Sequence, residues 1–246
     1  MKKLIAILLV MLALLAGCRS SQGEKPVAPA ADPTTAPTQN TTEETVVDEI
    51  EASTHYMQNV YPSQIQRYYT AVSQKWDEIT YLDNEMSTLA ARYYDGNPLD
   101  NIGFAFMDLD RDGIWELVIG AVQDSLVFEI WGLKNGEPVM LAQSGSHNRY
   151  YLQYTDDLWT VAYEAENGAA NFAVYSLKLV NSQFQTIQGV VFDALANEEN
   201  PWFQTTKLDM DGSNGTPITE ETASTMMNAT RSIYTTADYF PYSLYK

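Results

Sequence analysis

The segment DLDRDGIWE, residues 108–116, places Asp108, Asp110, Asp112 and Glu116 at positions one, three, five and nine, with Gly113 at six, inside an otherwise apolar stretch. That alternation lets a tight loop aim three carboxylates inward. Calcium takes six to eight hard oxygen ligands at about 2.3–2.6 Å, and such a loop supplies them. Gly113 permits the sharp turn that a side chain would hinder. The carbonyl of Ile114 falls at the seventh position, and Glu116 coordinates directly or through water. The expected ligand set is therefore Asp108, Asp110, Asp112, Ile114 and Glu116 around a calcium ion. The competing reading is a solvated acidic hairpin held by Asx turns. Against it, aspartates packed this closely repel one another, which calls for a cation or partial protonation. Arg111 brings one positive charge, but its side chain alternates outward. Magnesium asks for a stricter octahedron and keeps its waters.

The spacing resembles the first part of an EF-hand loop, and departs from it at position twelve, where Ile119 stands in place of a bidentate glutamate. Because WELVIGA follows as strand, the loop is more similar to the DxDxDGxx(D/E) calcium loops of integrin-type β-rich domains. About nine residues carry that likeness, which bears on a site and not on a fold.

Other groups offer weaker chemistry. KLDMDGSNGTP sets Asp209, Asp211 and Ser213 at odd positions but has no acid at position nine, and reads as a turn into a helix. His55 and His147 have no partner at zinc spacing. Ser144 and Ser146 beside His147 lack the GxSxG elbow of a hydrolase. Glu164 with Glu166, or Asp156 with Asp157, offers a carboxylate pair for glycoside cleavage. Trp131, Trp159 and Trp202 suit sugar stacking, although core packing predicts the same letters.

These residues must be held by surrounding elements. Ser63 with Gln66 has the form of a capping box, followed by Ile65, Tyr69, Val72, Trp76 and Ile79 at helical spacing. A second helix is expected over residues 84–94, with Asp83 as its cap and the DGNP turn at its end. From Phe104 the pattern changes to nine short runs: FAFMD, WELVIGA, LVFEIWGL, PVMLAQ, RYYLQYT, LWTVAYEA, FAVYSLKL, FQTIQGVVFDA and WFQTTKL. Asn135-Gly136 suits a type I′ hairpin. Residues 155–157 and 180–182 can close two more. A last helix follows Thr219, with Glu220 and Glu221 in its first turn. The fold class expected is α+β: an antiparallel β meander flanked by two N-terminal helices and one C-terminal helix.

Residues 1–17 read as a signal peptide, Lys2 and Lys3 leading an apolar run from Leu4 to Leu15. Leu15, Ala16, Gly17 and Cys18 resemble the lipobox of bacterial lipoproteins, which implies lipidation of Cys18 and a membrane anchor. Cys18 is the one cysteine, so no intramolecular disulfide can form. Residues 18–52, with Pro26, Pro29, Pro33 and Pro37, have the composition of a disordered tether. Residues 53–246 then suffice for a single globular domain.

The formal charge is −18, and loss of residues 1–17 removes two lysines and no acid, making it −20. Such a charge argues against nucleic-acid partners and polybasic membrane contact. YYTAVSQKW, NPLDNIGFAFMDLDRDGIWELVIGA, NPWFQTT and the helix after PITEE resemble a group of uncharacterised lipoproteins of Gram-positive gut bacteria, a likeness that implies no particular activity. The expected function is a cell-surface lipoprotein on the extracytoplasmic side of the membrane, with a structural calcium loop and a non-enzymatic domain. That domain binds an extracellular ligand or envelope protein. A secreted glycan-acting hydrolase is the alternative.

Overall fold

The computed structural model describes residues 52–245. The expected signal segment, Cys18 and all of the tether but Ala52 lie outside the described residues. A helical stretch at 52–55 runs into a π-helical turn, Tyr56–Val60. Helix α1 spans Pro62–Ser73, with proline at the first position, where its missing N–H costs nothing. Its buried face is Ile65, Tyr68, Ala71 and Val72. Two short pieces follow, α2 (Glu78–Asp83) and a 3₁₀ turn, Thr88–Tyr93, and then α3 (Pro98–Asn101).

This helical region departs from the periodicity in three ways. The Ser63 capping box does not form: Tyr61 is the N-cap residue, and no side chain caps α1. The helix stops at Gln74, because Lys75 turns left-handed at φ 51° and Trp76 N–H reaches back to the Ala71 carbonyl, 3.0 Å. Asp77 then starts α2 by accepting from the N–H of Thr80, which leaves Ile79 exposed instead of on a core stripe. Over the interval where one helix was expected from 84 to 94, α2 has already ended, at Asp83, and Glu85 (φ 54°) repeats the reversal. In both reversals the N–H groups of two successive residues close onto carbonyls of the last turn, the pattern of a Schellman motif.

The strands are β1 (Ile102–Met107), β2 (Glu116–Ala121), β3 (Leu126–Lys134), β4 (Glu137–Gln143), β5 (Asn148–Thr155), β6 (Leu158–Glu166), β7 (Asn171–Val180), β8 (Gln183–Asp193), β9 (Trp202–Thr205), β10 (Thr216–Pro217) and β11 (Phe240–Pro241). They form one antiparallel sheet in the order β10-β9-β8-β7-β6-β5-β3-β2-β1-β11, with β4 paired to β3. With the helices, this makes the described residues an α+β structure. Three two-residue turns carry positive φ at both positions, as type I′ hairpins require: Asn135-Gly136, Asp156-Asp157 and Asn181-Ser182.

Strand β3 forks. Its first residues, Leu126 and Val127, pair with β5, while Glu129 to Lys134 pair with β4. Ser144 fills the fork: its N–H donates to the Phe128 carbonyl, 2.9 Å. Its hydroxyl donates to the Val127 carbonyl, 2.5 Å, and accepts from Tyr150 N–H, 2.9 Å.

Both faces of β1 to β3 are covered, which is why they read as nearly continuous apolar runs. On one face Ile102, Phe104, Leu117, Ile119 and Phe128 pack with Ile65, Tyr68, Val72, Tyr81 and Leu89 of the helical region. On the other, Met107, Val118, Val127 and Ile130 share a cluster with Leu152 of β5, Val161 of β6 and Leu179 of β7. The sheet thus coils over itself. Ala237 and Tyr239, in the segment leading to β11, join that cluster, and a Cβ at Gly120 would overlap the Tyr239 hydroxyl. The last helix, α4 (Glu220–Ser232), is capped by Thr219 and sets Ala223 and Met227 against Val174 and Val190.

Candidate metal centre

The loop between β1 and β2 is DLDRDGIW, and β2 begins with the glutamate that closes it. Carboxylate oxygens of Asp108, Asp110 and Glu116 lie within 4.8 Å of one another, the one such group of three ligating side chains among the described residues. Each has a distinct local hold. Asp108 accepts from the N–H groups of Asp112 (3.0 Å) and Gly113 (3.1 Å), one on each oxygen. Glu116 is 3 % exposed and accepts from the N–H of Leu109, 2.9 Å. Asp110 keeps one carboxylate oxygen, Oδ1, buried and without a hydrogen-bond partner.

Asp112 stands apart from that group. It is exposed, and its Oδ1 accepts from Ile114 N–H at 2.7 Å, an Asx turn. Ile114 is exposed as well. Arg111 and Gly113 are both left-handed, at φ 60° and 83°, which curls the backbone around the carboxylates. The Arg111 guanidinium points away from the acids and donates to the Asp157 carbonyl at the β5–β6 turn. No lysine or arginine forms an ion pair with these carboxylates among the described residues.

The electrostatics follow from that geometry. Burial pushes the Glu116 carboxyl up to about 8; the Leu109 N–H opposes the rise, and the charges of Asp110, Asp112 and Asp108 add to it. Burial also raises Asp110, followed by the charge of Asp112. Like charges held this close and this dry need either protons or a cation.

The other candidates are placed differently. In the second acidic loop the carboxylates are saturated by local donors: Asp209 accepts from Asp211 N–H and Asn214 Nδ2, and Asp211 from Ser213 and Asn214. Glu164 is bound by Arg231 Nε at 2.7 Å and the Tyr234 hydroxyl at 2.8 Å. Glu166 stands 3.8 Å from His147, both well exposed. Ser144 is committed to the β3 fork. None of these assembles a nucleophile, a base and an orienting group.

Sequence reasoning passed over Glu129, in LVFEIWGL. It is 1 % exposed and accepts from Ser87 N–H (3.1 Å), Trp131 Nε1 (2.8 Å) and Gln143 Nε2 (3.2 Å). Burial raises its pKa despite these donors. One acid between Phe128 and Ile130 was the available signal. Glu129 ties the loop after α2 to β3 and β4, a structural use of a buried carboxyl.

Among the described residues no helix is long and apolar enough to cross a membrane. No protein-family model, curated protein or solved structure matches the chain.

Proposed function

We propose that the β1–β2 loop binds calcium through Asp108, Asp110 and Glu116, completed by Asp112 and the Ile114 carbonyl, and that the ion is structural. The observation that carries this reading is the convergence of three carboxylates, one of them almost fully buried, with no lysine or arginine paired to them among the described residues. A divalent ion offsets that repulsion, and an oxygen-only donor set suits a hard cation. The site is local to one hairpin, while Arg111 joins the loop to the β5–β6 turn across the coiled sheet. An ion there would fix the curl of the β1–β2 loop, and with it the position from which Arg111 reaches the β5–β6 turn.

In this reading the chain is a lipoprotein anchored outside the cell through Cys18, and its β-rich body binds a ligand or partner without catalysing a reaction. Extracellular calcium sites of this kind have dissociation constants on the order of 10⁻⁴ to 10⁻³ M, matched to a millimolar exterior. Binding only the folded form raises stability by about 2.7 kcal/mol at a hundredfold excess over Kd. For a body of this size that corresponds to about 5–10 °C in Tm. Calorimetry with calcium and with EDTA tests it: wild type should show the rise and Asp110→Ala should not. An equal rise in both would remove the assignment.

A further inference from the structure

Beside the metal loop lies an open groove of about 480 Å³, lined by Phe106, Met107, Asp108, Trp115, Trp159 and Asp238. That volume is in the range of small-ligand sites, about 300–1,000 Å³. Its walls are aromatic and its charges negative: among the described residues no lysine, arginine, histidine or amide side chain lines it.

The aromatic walls are held in place before any ligand arrives. Trp115 lies flat on Tyr56, centroids 5.6 Å apart and planes 18° apart. Its backbone N–H donates to the Tyr56 hydroxyl at 3.1 Å, and its carbonyl accepts from the Tyr61 hydroxyl at 3.0 Å. Trp159 packs on Tyr154 at 4.8 Å. Both indoles are nonetheless only partly buried. Rings fixed this way and left half open bind without a large ordering cost.

The two carboxylates differ. Both oxygens of Asp108 are taken by backbone N–H groups, whereas Asp238 is exposed and makes no hydrogen bond or ion pair among the described residues. A negative group beside indole faces selects a positive ligand, because the ring quadrupole attracts a cation and a carboxylate neutralises it. A chain of net charge −18 adds a field of the same sign.

We infer that this groove binds a small organic cation, an alkylammonium group seated between Trp115 and Trp159 with Asp238 as its counter-charge. Trp159 and Asp238 lie outside the metal loop, whereas Asp108 and Trp115 belong to it, so a calcium ion on Asp108 would leave Asp238 to supply the counter-charge.

Titration calorimetry on the full chain, in EDTA and again with calcium, tests it with choline and its neutral isostere 3,3-dimethyl-1-butanol. Choline should bind, more weakly as salt is added, and the isostere should not. Trp159→Leu and Asp238→Asn should each weaken choline by about tenfold, the scale of a partly desolvated cation–π contact or ion pair. Should Trp159→Leu fail to fold, the exposed Asp238→Asn, together with Trp159→Phe, carries the test. Equal binding of choline and the isostere would show an apolar groove only. No choline binding, binding of a neutral monosaccharide in its place, or choline affinity unchanged in Asp238→Asn would each overturn the inference.

Discussion

Asp110 and Asp211 belong to similar words, DRDG and DMDG, and are held in opposite ways. One oxygen of Asp110 is buried and unpartnered, and the Asp110 carboxyl is pushed upward by burial and by Asp112. Asp211 is surrounded by donors, and the hydroxyl and N–H of Ser213 draw its carboxyl below the usual range. The first arrangement leaves negative charge uncompensated; the second satisfies it with the chain's own groups. Asp211→Ala should therefore lower the urea midpoint slightly, as the loss of a capping side chain does. It should leave the calcium-dependent rise in Tm at the wild-type value. A loss of that rise would place the ion at the second loop and not at the first. Part of the first loop was legible in the sequence, because Asp108, Asp110 and Glu116 fall within nine residues and do converge, whereas Asp112 turns aside to accept from Ile114 N–H. The groove was not legible, since Trp115, Trp159 and Asp238 come from a loop, a strand and the crossing segment before β11, and only the coil of the sheet brings them together.

Among the elements, strands were far easier to read than helices. The nine apolar runs from Phe104 onward are strands, because β-branched and aromatic residues with polar breaks admit little else and the two-residue turns fix their ends. The helical region was misjudged for a specific reason: α1 and α2 both end on left-handed residues that are not glycine, Lys75 at φ 51° and Glu85 at φ 54°. Apolar spacing through Trp76 and Ile79 suggested continuation, and no glycine marked the stop. The usable sign was Asp77 three residues before Thr80, the N-cap of α2. A side chain in the left-handed region costs about 1 kcal/mol relative to glycine. Lys75→Gly and Glu85→Gly should each raise stability by roughly 0.5–1 kcal/mol, read from the urea midpoint at unchanged slope. Destabilisation in both variants would mean that the two reversals are not the strained points the backbone angles indicate.

Over the whole molecule the conspicuous resource is tyrosine, 16 in the chain. With one cysteine and so no internal disulfide, the fold depends on packed rings and their hydroxyls. Burial raises the pKa of many of them. Tyr68 and Tyr242 are lifted well above the ordinary value of 10.0, and Tyr81 is lifted by burial and by its bond with Tyr94. Tyr175 is pushed up to about 12, chiefly by burial. The sign of the linkage is fixed by that direction. A phenol whose folded pKa exceeds its unfolded pKa holds its proton more tightly in the native state. Its contribution is complete below pH 10 and is lost as the pH rises from 10 toward the folded value. Because several rings share one core with Glu129 among them, they cannot ionise singly without placing a second charge beside a buried carboxyl. Alkaline titration followed at 295 nm should therefore show a late, steep ionisation phase above pH 10 that coincides with loss of the far-ultraviolet dichroism. If all sixteen ionise together near pH 10 while the dichroism persists, the rings are not buried as the packing requires.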